Sequence, residues 1–365
     1  MAVAEAFARR VPDASGLLLT ASSSTGDFQL PESLDYVRIP GIDKQELFED
    51  EGDDAADLFA MRKALISTTL STFAPEMVVV DHNPAGLAGE LLPVLNRYRA
   101  AISRPLLVLG MRDITYGQEE TRAEWEMDNA YDLLEHVYDL ILVYGCRDVF
   151  DPVVEYALAP EIEAKMIFTG YLQRPEPKTP AHEVRRSLRA GNLPLAVVSA
   201  GSGADGAPLI EAFLQAMRRG LLPDMVASVT LGPQMPAADV ARLRALARSL
   251  QTVTCVRFRN DLESHVAAAD VVLSMGGYNS VLEAVGAKKR PIVTPRQAGS
   301  REQLLRAKRF ARLGLVTVVP REDLTPQHLA GAIKAELAGG VPPSASLDFD
   351  GLDRAGLALA MLVGR

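Results

Sequence analysis

Residues 268–306 read AADVVLSMGGYNSVLEAVGAKKRPIVTPRQAGSREQLLR, and the reading of this stretch decides the fold. Val271, Val272 and Leu273 make an apolar run of the length expected for a strand buried on both faces. Gly276 and Gly277 follow, where a residue without Cβ can turn tightly or let a ligand approach the backbone. Asn279 and Ser280 are the expected N-caps of a short helix whose apolar side is Val281, Leu282 and Val285. Its free N–H groups and positive dipole end would then lie beyond the strand's carboxyl end, a place suited to a phosphate. Glu283 has two readings: a capping-box carboxylate three residues after Ser280, or an acceptor for a ligand diol. A second strand at 291–294 ends at Pro295, and 296–301 lead into another helix with Glu302 and Gln303 in its first turn.

Working outward, 365 residues suffice for two domains of ordinary size. Apolar residues at 48% and charged residues at 23% describe a globular protein rather than a disordered or fibrous one. A net charge of −9 argues against general nucleic-acid binding, which needs many Lys/Arg–phosphate contacts. A single nucleotide diphosphate needs only helix N-termini and one or two arginines. Cys146 and Cys255 stand far apart without metal-ligand spacing, so a disulfide framework or zinc site is not expected and a reducing cytoplasm fits. No apolar run reaches the length of a spanning helix, and Glu5, Arg9 and Arg10 interrupt what would be a signal peptide's apolar core. Peripheral membrane contact stays open.

The chain begins with an amphipathic helix over 1–11, with Val3, Ala4, Phe7, Ala8 and Val11 on one face. Short strands at 16–20 and 36–39 flank a Ser/Thr/Gly-rich loop, and a helix over 54–72 follows. Strands at 77–80, 105–109, 140–144 and 165–170 alternate with helical stretches, the pattern of an open parallel sheet covered on both faces. Residues 171–192, with three prolines and many charges, read as a linker between a first domain at 1–170 and a second at 193–345. The second restarts with a strand at 195–198 and a helix burying Leu209, Ile210, Phe213 and Met217, and a final helix occupies about 350–363, within 346–365.

The loop 200–206, AGSGADG, follows a strand and opens a helix, the context that makes a glycine pattern a phosphate cradle. Gly201, Gly203 and Gly206 fit G-x-G-x-x-G, but the loop lies mid-chain and no acidic residue ends the next strand, which tells against a dinucleotide cofactor. In the first half, His82 and Asp113 stand at strand ends that point into a ligand crevice, and His82 has a titration range suited to taking a proton. Each also reads as a strand-end hydrogen bonder. Glu90, Arg122 and Trp125 could shape an acceptor pocket, or be packed and solvated. Asp348-Phe349-Asp350 precedes a terminal helix, so its carboxylates read as helix N-terminal charges and no metal is expected.

The order strand, Gly-Gly, Ser, Glu, helix, strand, Pro, loop, Glu-Gln resembles the donor site of glycosyltransferase family 28. The wording MGGYNSVLE…RQAGSREQLLRAKRFARLG is also similar to a group of bacterial predicted glycosyltransferases. The resemblance implies two Rossmann-like domains facing each other across a cleft, the GT-B arrangement, with the last helix crossing back to the first domain. Tyr171 after Gly170 matches the family's linker. It implies a nucleotide-sugar donor, uridine-linked, used as substrate with no cofactor. The acceptor would be a small molecule, glycan or lipid-linked hydroxyl, transfer being inverting and metal-independent. Gly201, Ser202, Gly203 and Gly206 would lie beside the diphosphate with Gly276, Gly277, Asn279 and Ser280. Glu283 would hold the ribose, Arg296 or Arg301 the leaving diphosphate, and Glu302-Gln303 the sugar. The family has Gln-Gln at the last pair, so its choice of sugar does not carry over. It also implies a strand and a glycine–histidine loop ahead of the opening helix, and hence a reading frame starting upstream of Met1 or a truncated product, the alternative being that the strand at 16–20 takes the missing strand's place. Nonhydrolysing nucleotide-sugar 2-epimerases share the fold but place two adjacent carboxylates where this chain has Leu282-Glu283. A nucleotide-sugar binding protein without catalysis is the other alternative.

Overall fold

The computed structural model describes residues 1–22, 30–42, 53–173, 177–296, 301–339 and 346–364. The loop between Arg296 and Arg301, parts of the linker and the Ser/Thr/Gly-rich loop therefore lie outside the described residues. In chain order the elements are α1 (Ala2–Ala8), β1 (Gly16–Thr20), β2 (Leu34–Arg38), α2 (Asp53–Phe73), β3 (Met77–Asp81), α3 (Leu92–Ala100), β4 (Leu106–Arg112), α4 (Gln118–Met127), α5 (Ala130–His136), β5 (Leu140–Tyr144), α6 (Pro152–Glu155), α7 (Pro160–Glu163) and β6 (Met166–Phe168). They continue with α8 (Ala181–Ser187), β7 (Leu195–Ser199), α9 (Ala207–Arg218), β8 (Val226–Thr230), α10 (Ala237–Arg248), β9 (Val253–Val256), α11 (Leu262–Ala268), β10 (Val271–Ser274), α12 (Tyr278–Gly286), β11 (Ile292–Val293), α13 (Glu302–Arg312), β12 (Thr317–Val318), α14 (Pro326–Leu337) and α15 (Gly351–Leu362). The chain divides into an amino-terminal unit, Met1–Leu172 with Asp348–Arg365, and a carboxy-terminal unit, Gln173–Leu347.

The amino-terminal unit holds a parallel four-stranded sheet in the order β3-β4-β5-β6. β4 and β5 are central and buried, while Val79 of edge strand β3 is exposed. β1 and β2 pair with each other in parallel as a separate two-stranded sheet. The single open sheet expected from the strand pattern is thus split in two among the described residues. The opening helix is shorter than expected and its buried residue is Ala6, because it packs on α15. Gly356 permits that approach, since a Cβ there would lie 2.7 Å from the Ala6 carbonyl oxygen. Arg10 pairs with Asp353, and the Tyr171 amide donates to the Asp348 carbonyl at 2.8 Å, so the last helix returns to the first unit as expected.

The carboxy-terminal unit is a six-stranded parallel sheet in the order β12-β11-β10-β7-β8-β9. β7, β8 and β10 are buried along their whole length; the apolar runs of β7 and β10 fit this, while β8 buries Ser228 at its centre. α9 covers one face with Leu209, Ile210, Phe213 and Leu214, each such side chain stabilising by about 1.5–3 kcal/mol. Met217, expected in that face, is half-buried at its end.

The two units use one device at the amino ends of their sheets. The Asp139 amide donates to the Leu107 carbonyl at 2.8 Å while its carboxylate accepts the Leu107 amide at 2.8 Å. Asp270 does the same with Leu195, at 2.8 and 2.7 Å. An arginine from elsewhere in the same unit, Arg104 or Arg185, holds each carboxylate.

Candidate functional site

In the second sheet β7 continues to β8 and β9 on one side, while β10 continues to β11 and β12 on the other. The strand order reverses between β7 and β10, and ligands of open α/β sheets bind beyond the carboxyl ends of strands at such a point. Both strands end in the same local structure. The Gly201 amide donates to Ser199 Oγ at 3.3 Å, and the Gly276 amide donates to Ser274 Oγ at 3.1 Å. Each glycine then takes a left-handed backbone, φ +63° and +85°, which a side chain would oppose. Ser199 and Ser274 stand opposite each other in the β7–β10 register, so the two turns are neighbours. These serines were not singled out from the sequence, although S-x-G recurs at both strand ends.

Each turn opens a helix whose N-cap is a glycine, Gly206 for α9 and Gly277 for α12, with no side-chain cap. This corrects the expectation that Asn279 and Ser280 are N-caps. Both lie inside the first turn of α12, Asn279 exposed and Ser280 half-buried. It also removes the capping-box reading of Glu283, because the third helical residue is Ser280 and Glu283 stands a turn further on, half-buried. The first amides of α12 are therefore not satisfied by a capping side chain, the arrangement in which helix N-termini take anions.

The glycine loop is packed rather than merely permissive. A Cβ on Gly203 would lie 2.4 Å from the Leu231 carbonyl oxygen, and one on Gly206 2.2 Å from the Ala200 Cβ. Ser202 is exposed, and its carbonyl accepts the Gln234 amide at 2.8 Å. Gly277 differs: its φ is not left-handed and nothing lies within 4 Å of a Cβ built there. Among the described residues nothing fills the space that a side chain at Gly277 would enter.

Arg296 is joined to the glycine loop by Asp205, its Nε 3.3 Å from the carboxylate, and Arg321 donates to the Asp205 carbonyl at 2.9 Å. Asp205 was missed from the sequence although it stands inside the loop singled out there. The Arg296 amide donates to Gln303 Oε1 at 3.1 Å, so that side chain's oxygen is engaged internally. Glu302 begins α13 as expected and pairs with Arg306 at 2.7 Å. Arg301 is the exposed N-cap of α13.

The residues singled out in the first half belong to the amino-terminal unit. His82 ends β3 with φ +73°, a conformation costly for any non-glycine residue and frequent at functional sites. Its amide donates to the Gly110 carbonyl at 2.7 Å, and its ring centre lies 6.1 Å from that of Tyr116. Of its two readings, Asp113 displays that of the strand-end hydrogen bonder. It has no exposed surface, and its carboxylate accepts the Tyr171 hydroxyl and the Ile114 amide, each at 2.7 Å. It ties β4 to the end of the unit instead. Glu90, Arg122 and Trp125 take the packed one of their two readings. Glu90 forms a buried bidentate pair with Arg62, Arg122 donates to the Glu155 carbonyl, and Trp125 packs on Tyr131 and Tyr156. Asp348 is engaged by Arg354, whose hydrogen bond holds its carboxyl below the usual range. Among the described residues no group of three or more His, Cys, Asp or Glu could hold a metal, and no helix is long and apolar enough to cross a membrane.

Residues 227–340 match the glycosyltransferase family 28 C-terminal domain. The chain is 22% identical over 231 residues to an uncharacterized glycosyltransferase of Methanopyrus kandleri, the match spanning 61% of each protein. It is 25% identical over 346 residues to the UDP-N-acetylglucosamine--N-acetylmuramyl-(pentapeptide) pyrophosphoryl-undecaprenol N-acetylglucosamine transferase of Allorhizobium ampelinum, covering 87% of this chain and 86% of that one. Among solved structures, the calicheamicin glycosyltransferase superposes with a TM-score of 0.61 at 15% identity, over 100% of this chain and 93% of the other. A UDP-N-acetylglucosamine 2-epimerase of Listeria monocytogenes does so at 0.67 and 11%, over 100% and 92%. The family 28 domain covers the turn after β10, α12 and the start of α13, the stretch from which the sequence was read. The chain has the GT-B fold, and its carboxy-terminal unit carries a region similar to the family 28 C-terminal domain.

Proposed function

We propose that the protein is a glycosyltransferase that moves a sugar from a UDP-sugar to an acceptor hydroxyl, inverting the anomeric centre without a metal. The observation that carries this is the pair of Ser-x-Gly turns at the β7–β10 switch point, each opening a helix with a glycine N-cap. Two such N-termini side by side supply amides and positive dipole ends for a diphosphate, whose charge grows as the glycosidic bond breaks. Gly201, Ser202, Gly203, Gly206, Gly276, Gly277, Asn279 and Ser280 would line the diphosphate, and Arg296 and Arg301 would add charge. Glu283 would accept the ribose hydroxyls, and Glu302 and Gln303 would meet the sugar. The acceptor oxygen attacks the anomeric carbon as the carbon–oxygen bond to diphosphate breaks, and the acceptor proton passes to a base. His82 is our candidate, on its position just after β3, its left-handed backbone and the ability of an imidazole to take a proton. The donor choice is supported by relatives named as UDP-N-acetylglucosamine transferases.

The test is calorimetric titration with UDP and UDP-N-acetylglucosamine, followed by assay for donor hydrolysis and transfer. Binding with slow hydrolysis supports a transferase. Binding with neither hydrolysis nor transfer to any hydroxyl acceptor supports a binding protein. The epimerase reading, which shares the fold, predicts a 2-epimer from the nucleotide sugar alone.

A further inference from the structure

Arg306 stands in the second turn of α13 and has no exposed surface. A guanidinium removed from water is destabilising unless its donors are met, so its partners show what it is for. Nη2 donates to Glu302 Oε1 at 2.7 Å, Nη1 donates to the Gly276 carbonyl at 3.4 Å, and the guanidinium carbon lies 5.3 Å from the centre of the Tyr278 ring. These partners are the first residue of α13, the glycine turn after β10 and the first residue of α12. One side chain meets all three.

We infer that Arg306 is the positioning residue of the donor site, fixing the direction in which the Gly276–Gly277 turn presents the first amides of α12 and holding the Glu302 carboxylate at the start of α13. The inference rests on the nucleotide-sugar reading above. Simple packing would be served as well by leucine or methionine. Only a planar, delocalised cation stacks on Tyr278 while donating to two oxygens in different directions, and a lysine ammonium cannot do both. The charge matters as well as the shape. It balances Glu302, so that no unpaired carboxylate faces a diphosphate, and adds to the positive end of α12. In the sequence Glu302 and Arg306 look like an ordinary exposed i,i+4 pair; only burial distinguishes them.

The experiment compares the wild type with Arg306→Met, Arg306→Lys, Tyr278→Leu and the double variant Arg306→Met/Glu302→Gln. Each is titrated with UDP and UDP-N-acetylglucosamine, with circular dichroism reporting the folded fraction. Arg306→Met is expected to weaken UDP binding by about 10-fold or more, and Arg306→Lys not to restore it. The double variant should bind UDP at least about threefold more tightly than Arg306→Met, because the stranded carboxylate is gone. Should Arg306→Met fail to fold, Tyr278→Leu removes the stacking face and is expected to cost about 3- to 10-fold. Wild-type affinity in folded Arg306→Met, or in Tyr278→Leu where the first does not fold, overturns the inference alone. A wild type that binds neither ligand overturns the donor reading and the inference with it.

Discussion

Glu283 is not the cap of α12, whose N-cap is Gly277, and it stands a turn inside the helix on the proposed donor side. A carboxylate accepting a ribose diol contributes about 1.5–3 kcal/mol, so Glu283→Ala should weaken UDP binding by about 10- to 150-fold with the fold intact. Calorimetry showing unchanged affinity would return Glu283 to a structural role. His265 carries a second prediction at this scale. It is buried, and its Nε2 lies 2.8 Å from Arg259 Nη1, so the ring is neutral and accepting. Burial first, then the Arg259 charge, push its pKa from 6.5 down to about 4, against the pull of Asp261. Between those values the unfolded chain binds a proton that the folded chain refuses, so stability is full above 6.5 and falls as pH drops toward 4. His265→Gln keeps a neutral acceptor in place and should flatten that part of the profile. Urea midpoints at several pH values check it; identical slopes in both proteins would refute the assignment.

Elements add a contrast between two glycines. Gly203 is required by the fold, being left-handed and close to the Leu231 carbonyl, whereas Gly277 has neither constraint. Gly203→Ala should therefore lower stability by about 1–3 kcal/mol, while Gly277→Ala should stay within about 0.5 kcal/mol of wild type yet weaken UDP. Thermal unfolding and calorimetry on both variants separate the effects; undiminished UDP affinity in Gly277→Ala would mean that no ligand approaches that face. The same elements explain what the sequence could and could not convey. Strands such as β5 and β7 were legible because burial on both faces imposes an unbroken apolar run. The glycine loops were legible because left-handed turns leave few residue choices. The N-cap of α12 was misplaced because Asn279 and Ser280 have cap chemistry, but a glycine with the right backbone can cap without a side chain. Glu90 and Asp113 kept two readings each because their partners, Arg62 28 residues away and Tyr171 58 residues away, come within reach only in the fold. Arg306 escaped notice for the same reason: Gly276, 30 residues away, is within reach only in the fold.

For the whole molecule, the D-x-D string is consumed by Arg354 and the backbone, so donor chemistry should rest on amides and arginines rather than a cation. EDTA should leave UDP binding and transfer unchanged; activity lost to chelator and restored by Mn²⁺ or Mg²⁺ would overturn this. The return of α15 to α1 has a different kind of consequence. It makes the amino-terminal unit discontinuous, with Gln173–Leu347 spliced into its middle. A ribosome delivers that inserted unit before it delivers residues 351–362, and domains fold largely as they emerge. The nascent chain therefore closes its second unit while α1, already made, still waits for the partner that covers Ala6.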